Sequence, residues 1–262
     1  MPYKKYPGEI IAIPGNHDGE IFKFDGTSTG QKKTLEAFQR NFCQAKPGVP
    51  PDAGTIYREM VSQPGVYWLL NALFADIVGL YSNIGEGPGF ISGTQIGQSQ
   101  KNWLVKTLQA IQKTRDSGTA KALIFAVHHP PFSYDGHSSS DIMPGDMDDA
   151  CTQAGIQPDV VLAAHAHNYQ RFTRSVKFQK QNGQVPYYVV GTGGRGTIPV
   201  QKADGSSTGD HRFDSSFVGY GYLTLKVNSS QIEFYFTQVD GTGKKRSFDK
   251  VIRVDLKTHQ LV

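Results

Sequence analysis

The chain has 262 residues, 38% hydrophobic and 19% charged, which suits one large packed domain or two small ones and argues against a chain disordered throughout. A net charge of +4 with no dense basic run excludes a dedicated nucleic-acid binder but would not oppose an anionic substrate. The longest apolar stretch, 66–81, is interrupted by Asn71 and Asp76, so no membrane span is expected. Two cysteines, Cys43 and Cys151, are too few for a disulfide framework or a four-thiolate zinc site. They pair with each other or stay free thiols, and their spacing does not decide which.

In chain order, residues 9–14 read as a short buried strand, and 31–42 as a helix with Leu35, Phe38 and Phe42 at helical spacing. Continuous apolar runs at 75–81, 122–127, 159–164 and 186–190 read as strands covered on both faces. Between them, 99–114 places Leu104, Leu108 and Ile111 on one helix face, and 146–154 is a weaker helix stopped by Gly155. From 222 the pattern changes. Segments 222–227, 231–239 and 250–256 alternate apolar and polar residues between turn signals, as an antiparallel meander does. Without a repeat or a linker-like break, residues 1–262 read as one α/β domain ending in antiparallel strands.

The chemistry-bearing residues follow the strand-like runs, where ligands bind in open α/β sheets. Gly15-Asn16-His17-Asp18-Gly19 follows the first run, and His128-His129-Pro130-Pro131 follows 122–127. His165-Ala166-His167-Asn168-Tyr169-Gln170-Arg171 follows 159–164. A His-x-His pair on extended chain sends both imidazoles to one face, a geometry suited to gripping one ion or two adjacent ions. Each run alone has an ordinary structural explanation; the three together, each ending a strand, point to a metal site.

The order Gly-Asn-His-Asp, His-x-Pro-Pro, His-x-His resembles the calcineurin-like metallophosphoesterases. The extension through Tyr169 and Arg171 is similar to their purple acid phosphatase-like branch. The resemblance runs from about residue 9 to the C-terminus. It implies a sandwich of two mixed β-sheets flanked by helices, and hydrolysis of phosphomonoesters or diesters by a metal-bound hydroxide at a dinuclear site. Asn16, His128 and His165 would ligate one metal and His167 a second. His17 would sit beside the phosphate as a proton or hydrogen-bond donor, Asp18 would orient it, and His137 would contact phosphate or the leaving group. The implied ions are two of Fe, Mn or Zn, and the implied substrate is a small phosphate ester.

The family pattern also carries an Asp-x-His and a Gly-Asp motif ahead of Gly-Asn-His-Asp, and neither is found before Gly15. The expectation is therefore an N-terminally truncated domain that lacks its first βα units. Such a chain would bind at most one metal, weakly, unless Asp18 or Asp135 replaces the bridging carboxylate. Any signal for secretion or periplasmic export, plausible by resemblance, would lie in the missing segment. The competing reading is a non-catalytic fragment or relic that binds one metal or phosphate ion without turnover.

Four smaller expectations complete the picture. Ala164 stands where the family usually has Gly, a change that matters only if the backbone there has positive φ. The run 191–196 matches G-x-G-x-x-G, but no helix pattern follows it, so it reads as a loop walling the metal site. Tyr169 and Arg171 either reach substrate or, for Arg171, form a structural ion pair. His129 supports the site or is simply packed, whereas His211 and His259 read as solvated.

Overall fold

The computed structural model describes residues 8–19, 34–54, 59–82, 89–94, 96–118, 121–137, 139–178 and 181–262. An eight-stranded mixed sheet forms the centre. Its strands are β1 (Trp68–Asn71), β2 (Ala75–Leu80), β3 (Ala122–Val127), β4 (Val160–Ala163), β5 (Tyr169–Phe178), β6 (Gln181–Val190), β7 (Ser207–Thr208) and β8 (His211–Phe217). Their spatial order is β1-β2-β3-β4-β6-β5-β8-β7. Strands β2, β3, β4 and β6 run parallel, and the remaining pairs are antiparallel. A second sheet of β9 (Tyr220–Val227), β10 (Gln231–Val239), β11 (Lys245–Asp255) and β12 (Gln260–Leu261) is wholly antiparallel, as the alternating tail requires.

Strand β3 shows why the apolar runs are continuous. Leu123, Phe125 and Val127 face a core shared with two helices, α2 (Ser99–Asp116) and α3 (Met143–Ala154). Ala122 and Ile124 face the other way, into a core shared with Ile232, Phe234, Phe236, Ile252 and Val254 of the small sheet. The layers are therefore helices, mixed sheet, antiparallel sheet. Helix α2 buries Leu104, Leu108 and Ile111, the stripe its spacing predicts. It is tied to β2 by the Gln100 side chain, which accepts from Tyr81 N–H and donates to Tyr81 C=O. Helix α3 starts earlier than its apolar pattern suggests, with a proline in its first turn, and stops at Gly155 in the left-handed conformation (φ 72°). No helix among the described residues is long and apolar enough to cross a membrane.

Two expectations need correction. Residues 9–14 do not form a sheet strand; only Ile10 makes a bridge, to Met60. Backbone groups there are satisfied partly by that bridge and partly by side chains. Ala12 N–H donates to Gln63 Oε1, and Ala12 C=O accepts from Trp68 Nε1–H. The helix expected over 31–42 is shorter, α1 (Glu36–Phe42), and residues 31–33 lie outside the described set. Cys43 and Cys151 are both free.

Candidate functional site

The register of the parallel strands brings the three histidine-bearing loops together. Leu80 pairs with Val127, Ala126 with Leu162, and Ala163 with Val189, so the carboxyl ends of β2, β3, β4 and β6 are aligned. His128 is the first residue after β3, His165 the second after β4, and Gly191 the first after β6. Asn16, His17, His128, His137, His165 and His167 line one open cavity of about 610 Å³, walled by Gly191, Gly193, Gly194 and Arg195. The glycine run thus lies where the sequence places it, with no helix behind it.

Within this cavity three donor atoms meet. His128 Nε2 lies 3.0 Å from Asn16 Oδ1 and 3.1 Å from His165 Nδ1. Ligands held at about 2.0–2.1 Å around a tetrahedral ion sit roughly 3.3 Å apart, so this set is close to a metal-binding spacing. His129 brings a third imidazole within 4.8 Å of those of His128 and His165, and this trio could hold a metal ion. Asn16 and His165 both present an atom within 3.1 Å of His128 Nε2. His129 is buried, and its Nδ1 is engaged by Ser82 Oγ at 2.6 Å, which places it behind the site.

Local sequence explains how these atoms converge. Asp18 Oδ2 accepts the Gly15 N–H at 2.8 Å and closes the tight turn that presents Asn16 and His17. Gly15 is required for the approach of His128, since a Cβ there would sit 2.8 Å from the imidazole ring. Likewise, a Cβ on Gly191 would lie 1.7 Å from the Ala166 carbonyl oxygen, so only glycine lets β6 pass the His-x-His loop. The positive φ in that loop falls on His165 (59°) and not on Ala164, so alanine there is unstrained. The strain, on the order of 1–2 kcal/mol, is carried by the candidate ligand itself.

The electrostatics favour neutral imidazoles. Burial, with like charge from the neighbouring histidines, lowers the pKa of His128 to about 4, of His165 to about 3 and of His129 to about 2. His167 is lowered too, mainly by burial. Neutral rings offer the lone pairs a metal needs. The same shifts set a pH dependence for the metal-free chain. Unfolded histidine binds its proton near 6.5, before the folded chain does, so stability is full above that pH and falls as pH drops towards 4. The loss from His128 and His165 together is on the order of several kcal/mol at the acid end, each pKa unit being about 1.4 kcal/mol. Denaturation midpoints of chelator-treated protein at pH 7 and pH 5 check this; equal or greater stability at pH 5 contradicts it.

Other predicted residues lie elsewhere or do other work. Arg171 is buried between the sheets, pairing with Asp249 at 2.8 Å and Asp214 at 3.0 Å, and Tyr169 Oη–H donates to Asp249. Both are structural. His211 is not a solvated histidine. Its ring stacks on Phe132 at 4.1 Å, and its Nε2 is 3.2 Å from Tyr134 Oη. His259 Nδ1 lies 2.9 Å from the buried Asp159 carboxylate. Arg195 at the cavity rim is a site residue that the sequence does not single out, and Asp135, expected only as a candidate bridging carboxylate, lies against His137.

The fold is an α/β sandwich with a cluster of imidazole and amide groups at its strand ends that could hold a metal ion. Residues 1–169 match the model of the calcineurin-like phosphoesterase family, more than half of the chain, and the protein belongs to that family. A solved structure described as "Structure of PhoD" is similar in fold, with a TM-score of 0.50, 13% identity and coverage of 78% of this chain. The chain spans 45% of the length of that structure. No curated protein matches the chain in sequence.

Proposed function

We propose that the protein hydrolyses small phosphate esters with a metal ion held by Asn16, His128 and His165. The observation that carries this reading is the meeting of Asn16 Oδ1, His128 Nε2 and His165 Nδ1 at 3.0–3.1 Å. A divalent ion there supplies Lewis acidity to a phosphoryl oxygen and lowers the pKa of water. The remaining work belongs to side chains around the cavity. His17, exposed at the tip of its turn beside Asn16, donates a proton to the departing alkoxide. His137 and Arg195 bind phosphate oxygens from opposite loops, and His167, which lines the same cavity, would be the ligand left for a second ion. Monoesters are the first choice of substrate and diesters the second. The purple acid phosphatase-like branch rests on the run from His165 to Arg171 alone.

A second reading, binding of one ion without turnover, is favoured by the donor set itself. Among the described residues, the group brought together is all histidine, with no carboxylate in it. Both candidate replacements are turned to other partners, Asp18 to Gly15 N–H and Asp135 to Ser133, His137 and Asn168. Assay of the Mn²⁺- and Zn²⁺-loaded chain with p-nitrophenyl phosphate and bis(p-nitrophenyl) phosphate separates the two readings. Hydrolysis that is abolished by chelator and restored by metal supports the first. Metal binding with no turnover supports the second.

A further inference from the structure

We propose that Asp135 is a positioning residue for His137, holding the imidazole with its Nδ1–H towards the carboxylate and leaving Nε2 as the nitrogen available to phosphate. The role rests on the phosphoester-hydrolase reading above.

The Asp135 side chain is wholly excluded from solvent. A buried carboxylate is costly unless its lone pairs are satisfied, and here they are used in a directed way. Oδ1 accepts from Ser133 Oγ at 3.1 Å and from the His137 N–H at 2.9 Å, which fixes the turn carrying His137. Oδ2 accepts from Asn168 Nδ2 at 3.1 Å and lies 3.5 Å from His137 Nδ1. That last distance is long for a hydrogen bond; such contacts often tighten only when a substrate completes the site.

The network fixes Asp135 from both sides. Gln170 Nε2 donates to Ser133 Oγ and to Asn168 Oδ1, and Gln170 Oε1 accepts from Tyr134 N–H. Asn168 follows His167 directly in the chain, so one set of buried amides links the His-x-His loop to the loop of His137. The His137 ring stands over that link, with centroid distances of 4.7 Å to His165 and 5.1 Å to His167. Which ring nitrogen carries the proton is set by the hydrogen bond made by the other. A carboxylate accepts only, so the nitrogen that faces it must be the donor. A purely structural Asp135 would not need the His137 ring, because Ser133, the His137 N–H and Asn168 already satisfy it.

The test uses the full chain, zinc-loaded and labelled with ¹⁵N-histidine, at pH 8, with His137 assigned by its loss in His137→Gln. The expected spectrum shows His137 as the Nδ1–H tautomer, and Asp135→Asn loses that fixed tautomer. With p-nitrophenyl phosphate, Asp135→Asn is expected to lower kcat by roughly 10–100-fold, the usual effect of losing a carboxylate behind a site histidine, with KM and zinc content held. A His137 in the Nε2–H tautomer in the unmutated chain overturns the proposal, even if Asp135→Asn does not fold. So does an Asp135→Asn chain that melts lower while its His137 tautomer and kcat are unchanged. If the unmutated chain turns over no substrate, the hydrolase reading fails, and the tautomer still decides the role of Asp135.

Discussion

Replacing His128 by alanine is expected to remove measurable metal binding and, with it, metal-dependent hydrolysis. The reason is geometric. His128 Nε2 is the donor that lies within about 3 Å of both other donors, so its loss leaves an amide oxygen and one imidazole facing a gap. Two neutral donors hold a divalent cation poorly against water. Removal of residues that merely orient a ligand costs 10–100-fold in affinity, so loss of the central ligand should exceed roughly 100-fold. Asn16→Ala should weaken binding less, since an amide oxygen is a poorer donor than imidazole for zinc. Calorimetric titration with Zn²⁺ measures both. Equal zinc affinity in His128→Ala and the unmutated chain would place the metal elsewhere.

The second large effect is expected at His17. This residue is exposed, lines the cavity and is carried on a turn whose first hydrogen bond is Gly15 N–H to Asp18. Asp18 therefore acts on His17 first through the turn that presents it. If His17 protonates the leaving group, His17→Ala should lower kcat by roughly 10²–10⁴-fold on an alkyl phosphate, the range for a lost acid–base group. An aryl phosphate, whose phenolate leaves without a proton, should lose far less. Zinc content should not change, because His17 is not among the three converging donors. Equal losses on alkyl and aryl substrates would exclude the acid role and leave His17 as a phosphate-binding group.

Much of this arrangement is legible in the chain. The runs at 75–81, 122–127, 159–164 and 186–190 become β2, β3, β4 and the end of β6, because a strand covered on both faces carries no polar alternation. The motifs after these strands and after 9–14 identify Asn16, His17, His128, His165 and His167 of the cavity's lining, and parallel register brings the strand-borne ones together. What escapes has non-local causes. Strands β5 and β8 are hidden because Gln170, Arg171 and Thr173 look like surface residues; Arg171 and Thr173 are buried against Asp214 and Asp249, forty to eighty residues away in sequence, and Gln170 against Ser133 and Tyr134. The segment 9–14 misleads in the opposite way, since its apolar side chains suggest a strand whose partners turn out to be Gln63 and Trp68 side chains. The alanine at 164 looks like a defect only until the positive φ is found one residue later. Asp135 is a lone acid in a loop, and its meaning appears only when Asn168 and His137 close on it.

Asn16, His128 and His165 are proposed to form one metal site on this chain. It is tested most directly by counting zinc bound per chain after equilibrium dialysis and elemental analysis, with His128→Ala dialysed in parallel. One zinc per unmutated chain is expected, bound weakly enough to be removed by chelator, and none in His128→Ala. No zinc in either chain, or two tightly held ions that survive the loss of His128, would contradict it.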